Sequence, residues 1–173
     1  MNTTQDNAPL LKAVADASQF CYNVENALSV EREEFVKSLV TLLPRLYLDF
    51  VDSDVEPDDD FTFSPMLDEM VYDRMRAGIE RQLGPDDTFL ETFEVDMKFS
   101  DTPIAVAISE ALADIYQDLY EFTMQVRLSD GDSLREAFGV CRENFRLYWG
   151  QKLCNVMRPL NFLYTNGFTA DEQ

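Results

Sequence analysis

The stretch IAVAISEALADIYQDLYEFTMQV, residues 104–126, carries the strongest helical periodicity in the chain. Its apolar residues recur at every third or fourth position, which is the spacing of one buried face of an α-helix. These residues are Ile104, Ile108, Leu112, Ile115, Leu119, Phe122 and Val126. The pattern predicts a long amphipathic helix that begins near Pro103 and runs to about Leu128.

Similar periodicity predicts four further helices. They cover residues 9–28, 29–50, 64–83 and 133–157. Ser29 and Ser64 are expected to cap the second and third of them, and Pro159 is expected to end the last. Pro44 lies inside the second, where it should kink or divide the helix.

Five helices with mostly short connections indicate an all-α fold, an antiparallel up-and-down bundle. We expect one domain over residues 1–160 and a loosely held tail over residues 161–173. No segment alternates well enough to predict a sheet. Residues 86–102 are expected to pack against the bundle with a single helical turn, because 17 residues are too many for a plain loop.

The composition is strongly acidic, with 33 acidic and 14 basic residues and a net charge of −19. Such a charge disfavours ordinary nucleic-acid binding and anionic membranes, and it favours cations or a basic protein partner. No apolar run approaches the length of a membrane span, and the N-terminus lacks a secretory pattern. We therefore expect a cytoplasmic protein.

Histidine is absent from the sequence. This absence removes Ser-His-Asp and Cys-His nucleophile pairs, and it removes histidine-containing zinc and di-iron sites. No cofactor is predicted. Any metal would be a hard cation held by oxygen ligands, such as Mg²⁺, Mn²⁺ or Ca²⁺.

The segment VDSDVEPDDDFTFS, residues 51–64, is densely acidic and is called the acidic connector below. Three of its acids have the one-three-five spacing of an EF-hand loop. However, Pro57 takes the place of the glycine that the turn needs, and Phe63 takes the place of the bidentate glutamate. We therefore predict a solvated loop.

Three further stretches carry a family resemblance: LGPDDTFLETFEVDM, SEALADIYQDL and CRENFRLYWGQKL. Together they resemble a bacterial family of short acidic proteins that is classed only as a domain of unknown function. The resemblance runs from about the second helix to the end of the fifth, and it implies a helical domain without implying an activity. Ala111 departs from the pattern, because an acid is expected after Glu110.

Within the fourth helix, Glu110, Asp114, Asp118 and Glu121 recur at spacings of four, four and three. On a helix they form one line, which is called the acid row below. The row is either a solvated face or a ligand site. Projection places Glu110 and Glu121 toward water, whereas Asp114 and Asp118 lie nearer the core.

A metal-dependent interpretation of the acid row is also open. EREEFVK and EALAD resemble the paired acidic motifs of helical nucleoside-triphosphate pyrophosphohydrolases, which gather Mg²⁺. Lys37 and Ala111 replace an essential acid in each motif. A hydrolase would need four carboxylates to converge, namely Glu33, Glu34, Asp114 and Asp118.

The fifth helix carries arginines on one flank, namely Arg135, Arg142 and Arg146. Packing of an antiparallel pair would bring these arginines toward Tyr116 and Tyr120, where cation–π contacts can form.

Lys152 projects into the apolar stripe of the same helix, three residues after Trp149. Its stem either reaches out to solvent at a bundle end, or its ammonium pairs with an acid in a pocket beside Trp149. Gly150 inside the helix indicates close packing.

With no intact catalytic motif, the leading hypothesis is a non-enzymatic interaction or adaptor domain that meets a basic partner. Two alternatives remain, a Mg²⁺- or Mn²⁺-dependent hydrolase of nucleotides or phosphoesters, and an acidic mimic of DNA phosphates. The candidate ligand or partner residues are Glu110, Asp114, Tyr116, Asp118, Tyr120, Arg142, Trp149 and Lys152.

Overall fold

The computed structural model describes residues 7–91 and 102–170. The helices of this part of the chain are α1 (Ala8–Glu25), α2 (Arg32–Val51), α3 (Glu69–Leu83), α4 (Ile108–Leu128), α5 (Leu134–Asn144) and α6 (Gly150–Asn166). A π-helical turn, Phe145–Trp149, joins α5 and α6 into one continuous helix. The described part of the chain is therefore a bundle of five long helical segments, and the predicted all-α fold class is confirmed.

The centre of the bundle is α4, which packs against α1, α3, α5 and α6. The predicted stripe is buried from Ile108 through Val126. Beside it lies an aromatic cluster around Phe50, whose ring stacks on Phe138 at 4.9 Å and meets the edge of Trp149 at 4.9 Å. α2 packs mainly against its sequence neighbour α1 and against α6, which is distant in sequence.

A short antiparallel hairpin precedes α4 and corrects the prediction that the chain has no sheet. Strand β1 (Thr88–Glu91) pairs with β2 (Ile104–Ala107). The predicted helix start at Pro103 is therefore wrong, because α4 begins at Ile108. The Asp87 carboxylate accepts bonds from the Ser109 amide and hydroxyl, each at 2.7 Å, and so caps α4 at this point.

The interval 86–102 is thus partly a strand. A 3₁₀ turn, Gly84–Asp87, leads into β1. The rest of the interval for which a helical turn was predicted, residues 92–101, lies outside the described residues.

The start of α3 also differs from its prediction. Asp68 caps the helix by accepting a bond from the Met70 amide at 2.7 Å, so α3 starts at Glu69 and not at Pro65. The preceding amides of Met66 and Leu67 donate to a carboxylate of α4, which holds this part of the chain outside the helix. Similarly, α2 starts at Arg32, after a 3₁₀ turn that contains Ser29.

Neither proline divides or ends its helix, so the predicted end of the last helix at Pro159 and a division of the second helix at Pro44 are wrong. Pro44 lies within α2, and Pro159 lies within α6, which continues to Asn166. An internal proline costs roughly 3 kcal/mol. Burial of Leu160 and Leu163 offsets that cost, since each contributes roughly 1.5–3 kcal/mol.

The predicted boundary between residues 160 and 161 therefore falls inside a helix. Beyond α6, the Thr169 amide and hydroxyl donate to Asp86 at 2.9 and 2.6 Å. The guanidinium of Arg32 lies 5.5 Å from the centre of the Phe168 ring. Residues past the boundary thus contact the bundle.

Across residues 7–91 and 102–170, none of the helices combines the length and the apolar character needed to cross a membrane.

Candidate functional site: the acid row of α4

The acid row lies between α3 on one side and the α5–α6 helix on the other. Its four carboxylates meet different neighbours, so the row is not a uniform solvated face.

Glu121 is buried and binds backbone, although it was predicted to face water. Its carboxylate accepts bonds from the amides of Met66 and Leu67, each at 2.8 Å. That prediction is wrong because it considered α4 alone, whereas the chain ahead of α3 covers this face. Glu121 thereby ties the segment between the acidic connector and α3 to the centre of the bundle.

Asp118 lies one turn earlier, beneath Phe63 and Pro65, and lines a cavity of about 240 Å³. Its carboxylate accepts a bond from the Asn144 amide at 2.7 Å. Burial, and to a smaller extent the charges of Asp114 and Glu121, raise the pKa of Asp118 to about 6 against the opposing effect of the Asn144 bond.

The raised pKa of Asp118 predicts a pH-dependent stability. Because the ordinary value of 3.8 applies in the unfolded chain, ionisation favours unfolding as the pH rises from about 4 to above 6. The shift corresponds to about 3 kcal/mol at most, which partial solvent screening reduces to roughly 1–2 kcal/mol. We expect Asp118→Asn to be that much more stable than the wild type at neutral pH and equally stable in acid.

Urea unfolding of both proteins across this pH range measures the difference. Glu143→Gln, an exposed substitution on α5, is the control and should follow the wild type at every pH. If the free energies of unfolding of the wild type and of Asp118→Asn changed with pH in the same way, the raised pKa of Asp118 would be contradicted.

Asp114 is the most densely bonded member of the row. It accepts bonds from the hydroxyls of Tyr72 at 2.6 Å and Tyr148 at 2.9 Å, and it forms a salt bridge with Lys152 at 2.7 Å. Burial and the Asp114 bond both raise the pKa of Tyr72. Burial would lower the pKa of Lys152, but the bond to Asp114, the charge of Asp114 and the Tyr148 hydroxyl together outweigh burial, so the pKa of Lys152 is raised.

The π-helical turn explains the position of Lys152. A π turn inserts an extra residue into a helix, so the helix phase after residue 149 differs from that of an unbroken α-helix. The shift takes Lys152 from the predicted centre of the apolar stripe to its edge, where it meets Asp114. Gly150 permits this turn, since a Cβ there would lie 2.5 Å from the Phe145 carbonyl oxygen.

Trp149 belongs to the core and not to a ligand surface. Its side chain is buried, and its indole donates to the Cys141 carbonyl at 3.2 Å.

Glu110 is exposed at the N-terminal end of the row. It lines a cavity of about 350 Å³ between the hairpin and the π turn, together with Tyr148 and Lys152.

The predicted contacts between arginines and tyrosines are wrong for Arg142 and Arg146. Arg142 instead donates to the Val55 carbonyl and to Glu56, each at 2.9 Å, and Arg146 approaches Glu56 at 3.4 Å. Both arginines bind the acidic connector. The prediction assumed that sequential helices are the only neighbours, whereas the connector occupies this flank of α5.

The two tyrosines lie on the other side of α4, against α1. The buried Tyr116 donates to Glu25 at 2.9 Å, and its ring centre lies 5.6 Å from that of Tyr120.

The four carboxylates proposed for a hydrolase do not converge. Glu33 and Glu34 line a groove with Leu163 and Tyr164, whereas Asp114 is bonded to Tyr72 and Lys152. Over residues 7–91 and 102–170, no three acidic or thiol side chains are placed to hold a metal ion.

Sequence reasoning missed that the acidic connector is fixed to the bundle. Val55 is buried within it, and Gly139 of α5 lets its backbone approach so closely that a Cβ at Gly139 would lie 2.7 Å from the Glu56 carbonyl oxygen. Two signals were present in the sequence: an apolar residue among acids, and a glycine inside a predicted helix.

Comparison with known proteins supports the fold. The crystal structure of protein BF1032 from Bacteroides fragilis is similar to this chain with a TM-score of 0.77 and 28% sequence identity, and the likeness covers 96% of this chain and 97% of that one. A search of the curated proteins finds no match. The sequence also matches a family described as "Domain of unknown function (DUF5063)" over residues 6–166. As the resemblance in its motifs predicted, the chain belongs to this family of unknown function.

Proposed function

We propose that this chain is a non-enzymatic cytoplasmic interaction domain, and that the acidic connector is the surface that binds a basic segment of a partner protein. The observation that carries the proposal is the anchoring of the connector. Its carboxylates are presented from a backbone that Arg142, Gly139 and the buried Val55 hold against α5.

The connector exposes six carboxylates within nine residues, of which that of Glu56 is paired with Arg142 and Arg146. These are Asp52, Asp54, Glu56, Asp58, Asp59 and Asp60. Within it, the Asp58 side chain accepts a bond from the Asp60 amide at 3.0 Å, which shapes the tip as a turn. A fixed surface loses less conformational entropy on binding than a flexible acidic tail does. More of its electrostatic attraction to a basic partner is therefore retained as binding affinity.

The acid row is less suited to this role. Asp114, Asp118 and Glu121 are already bonded to protein groups, so they are less available to a partner. Two basic residues are also paired within the bundle, since Lys12 and Arg45 both bind the buried Asp16. Burial would raise the pKa of Asp16, but these bonds outweigh burial and lower that pKa to about 2. The charge that remains exposed on the connector is therefore the better candidate for a partner.

A fluorescent oligolysine peptide is the probe for this proposal. We expect Asp58→Asn, Asp59→Asn and Asp60→Asn together to weaken its binding about tenfold or more at physiological salt, as three close charges are lost. Asparagine keeps the acceptor that the Asp58 turn needs. Fluorescence anisotropy measures the affinity, and circular dichroism checks that the fold is retained.

The matched control removes the same charge elsewhere. Glu31, Glu33 and Glu34 are exposed at the opposite end of α2, about 30 Å along the helix from the connector. Their replacement by glutamine should change the affinity only slightly. Equal losses for the two triple variants would show that binding follows net charge alone and would overturn the proposal.

A further inference from the structure

The cavity of about 240 Å³ beside Asp118 carries charge of one sign only. The described residues that line it include two acids, Asp118 and Glu121, and no lysine or arginine. By contrast, the cavity beside the hairpin contains Lys152, and the one beside the end of α6 contains Lys37. The cavity beside Asp118 therefore favours a cation over an anion.

One carboxylate oxygen in this cavity is left for a cation. Both oxygens of Glu121 accept bonds from backbone amides ahead of α3. The Oδ1 atom of Asp118 accepts a bond from the Asn144 amide at 2.7 Å, whereas its Oδ2 atom accepts none within the described part of the chain and remains accessible. Because the Asn144 side chain is uncharged, its bond orients the Asp118 carboxylate without neutralising it.

The other walls of the cavity suit an apolar body. They include Phe63, Phe122, Ala137 and Val140. Phe122 and Ala137 are buried, whereas Gln117 is exposed, so the cavity reaches from the surface toward the core. A matching ligand carries its charge next to an apolar part.

The volume of the cavity and the chemistry of Asp118 narrow the class of ligand. Sites for drug-sized ligands occupy about 300–1,000 Å³, and this cavity is smaller, so it holds only a few non-hydrogen atoms. The accessible Oδ2 atom is a hydrogen-bond acceptor, and a charge-assisted bond from an N–H donor is stronger than a neutral one. A short primary alkylammonium ion meets these conditions, whereas a quaternary ammonium ion has no N–H to donate.

The fold does not require the charge of Asp118, because Asp118→Asn is expected to be more stable than the wild type at neutral pH. Among the described residues, no lysine or arginine pairs with this carboxylate. A carboxylate that lines a cavity at a cost in stability is typical of a binding site.

We propose that the cavity between α4, α5 and the segment 63–65 binds a short primary alkylammonium ion, whose ammonium donates to Asp118 and whose carbon chain packs against Phe63 and Val140. The exposed acids of the connector, residues 52–60, do not line this cavity. The site is therefore independent of the proposed partner surface.

The probe is n-butylammonium chloride, titrated into the full ¹⁵N-labelled chain at pH 7 and constant ionic strength. We expect saturable amide shifts in residues 117–122 and 137–144, with a dissociation constant in the millimolar range because so small a ligand makes few contacts. 1-Butanol has a similar body without the charge, and tetramethylammonium has the charge without an N–H. Each should bind about tenfold more weakly, and equal affinity for either would overturn the proposal.

The affinity for n-butylammonium should depend on pH through Asp118. The titratable groups that face its carboxylate lie on α4 and α5, namely Asp114, Glu121 and Cys141. The segment 63–65 contributes no titratable side chain. The Asp118 carboxylate must be ionised to bind a cation, and its pKa is about 6. Since the ligand stays charged throughout, the affinity should fall roughly tenfold from pH 7 to pH 5. A constant affinity across this range would contradict the site.

Variants assign the binding to Asp118. Asp118→Asn keeps the shape of the side chain and should bind n-butylammonium about tenfold more weakly at pH 7, without the pH dependence. The triple variant Asp58→Asn, Asp59→Asn and Asp60→Asn is the control for net charge and should bind as the wild type. Equal losses in the two proteins would overturn the proposal, as would unchanged affinity in Asp118→Asn or an absence of shifts at tens of millimolar ligand.

Discussion

Replacing Asp114 with alanine is expected to lower the free energy of unfolding by about 3 kcal/mol at neutral pH. The substitution leaves Lys152 and the hydroxyls of Tyr72 and Tyr148 without their common partner. Breaking a buried ion pair costs 3–5 kcal/mol, and the lower end applies because the Lys152 side chain is 29% exposed. Urea unfolding followed by circular dichroism measures the loss.

Two further variants separate the contribution of the tyrosine hydrogen bonds to stability from that of the ion pair with Lys152. Asp114→Asn keeps an acceptor for the tyrosines, so its loss should be smaller. Adding Lys152→Met to Asp114→Asn should recover part of the remaining loss, because the unpaired ammonium is removed. If Asp114 lay on a solvated face, even alanine would change the stability by only about 0.5 kcal/mol, which would contradict the structure.

Replacing Gly139 with valine is expected to lower the free energy of unfolding by roughly 2–3 kcal/mol and to weaken oligolysine binding without changing the charge. A Cβ at this position would lie 2.7 Å from the Glu56 carbonyl oxygen and 3.0 Å from the Pro57 Cα, so the connector must move away from α5. Denaturation and fluorescence anisotropy measure the two effects.

Gly78 supplies the matched control, since it also lies inside a helix but has no atom within 4 Å of a Cβ placed there. Gly78→Val should change stability and binding little. Unaltered peptide affinity in a destabilised Gly139→Val protein would show that anchoring of the connector is irrelevant to binding.

Much of the fold could be predicted from the sequence because the helices bury regular apolar stripes. The α4 stripe from Ile108 to Val126 and the α2 stripe through Phe50 are both buried as their spacing indicated. The errors lie at helix ends. Asp87, 22 residues away from Ser109, caps α4, and this contact between distant segments cannot be read from local periodicity.

The candidate site was harder to predict, because its geometry depends on which segment covers which helix face. Projection correctly separated the core of α4 from the acid row, but Glu121 binds amides that lie 54 and 55 residues away in sequence. The position of Lys152 could not be calculated without the π turn. Gly150 was the one local sign of it, since a glycine inside a strong helical pattern indicates close approach of backbone.

Residue-resolved NMR of the ¹⁵N-labelled chain with oligolysine tests the central claim, that the anchored acidic connector binds a basic partner. We predict that the largest amide shifts fall in residues 52–60 and in the turn of α5 around Gly139, where the connector rests. Shifts of equal size at Glu31, Glu33 and Glu34, or shifts concentrated along the acid row, would contradict it.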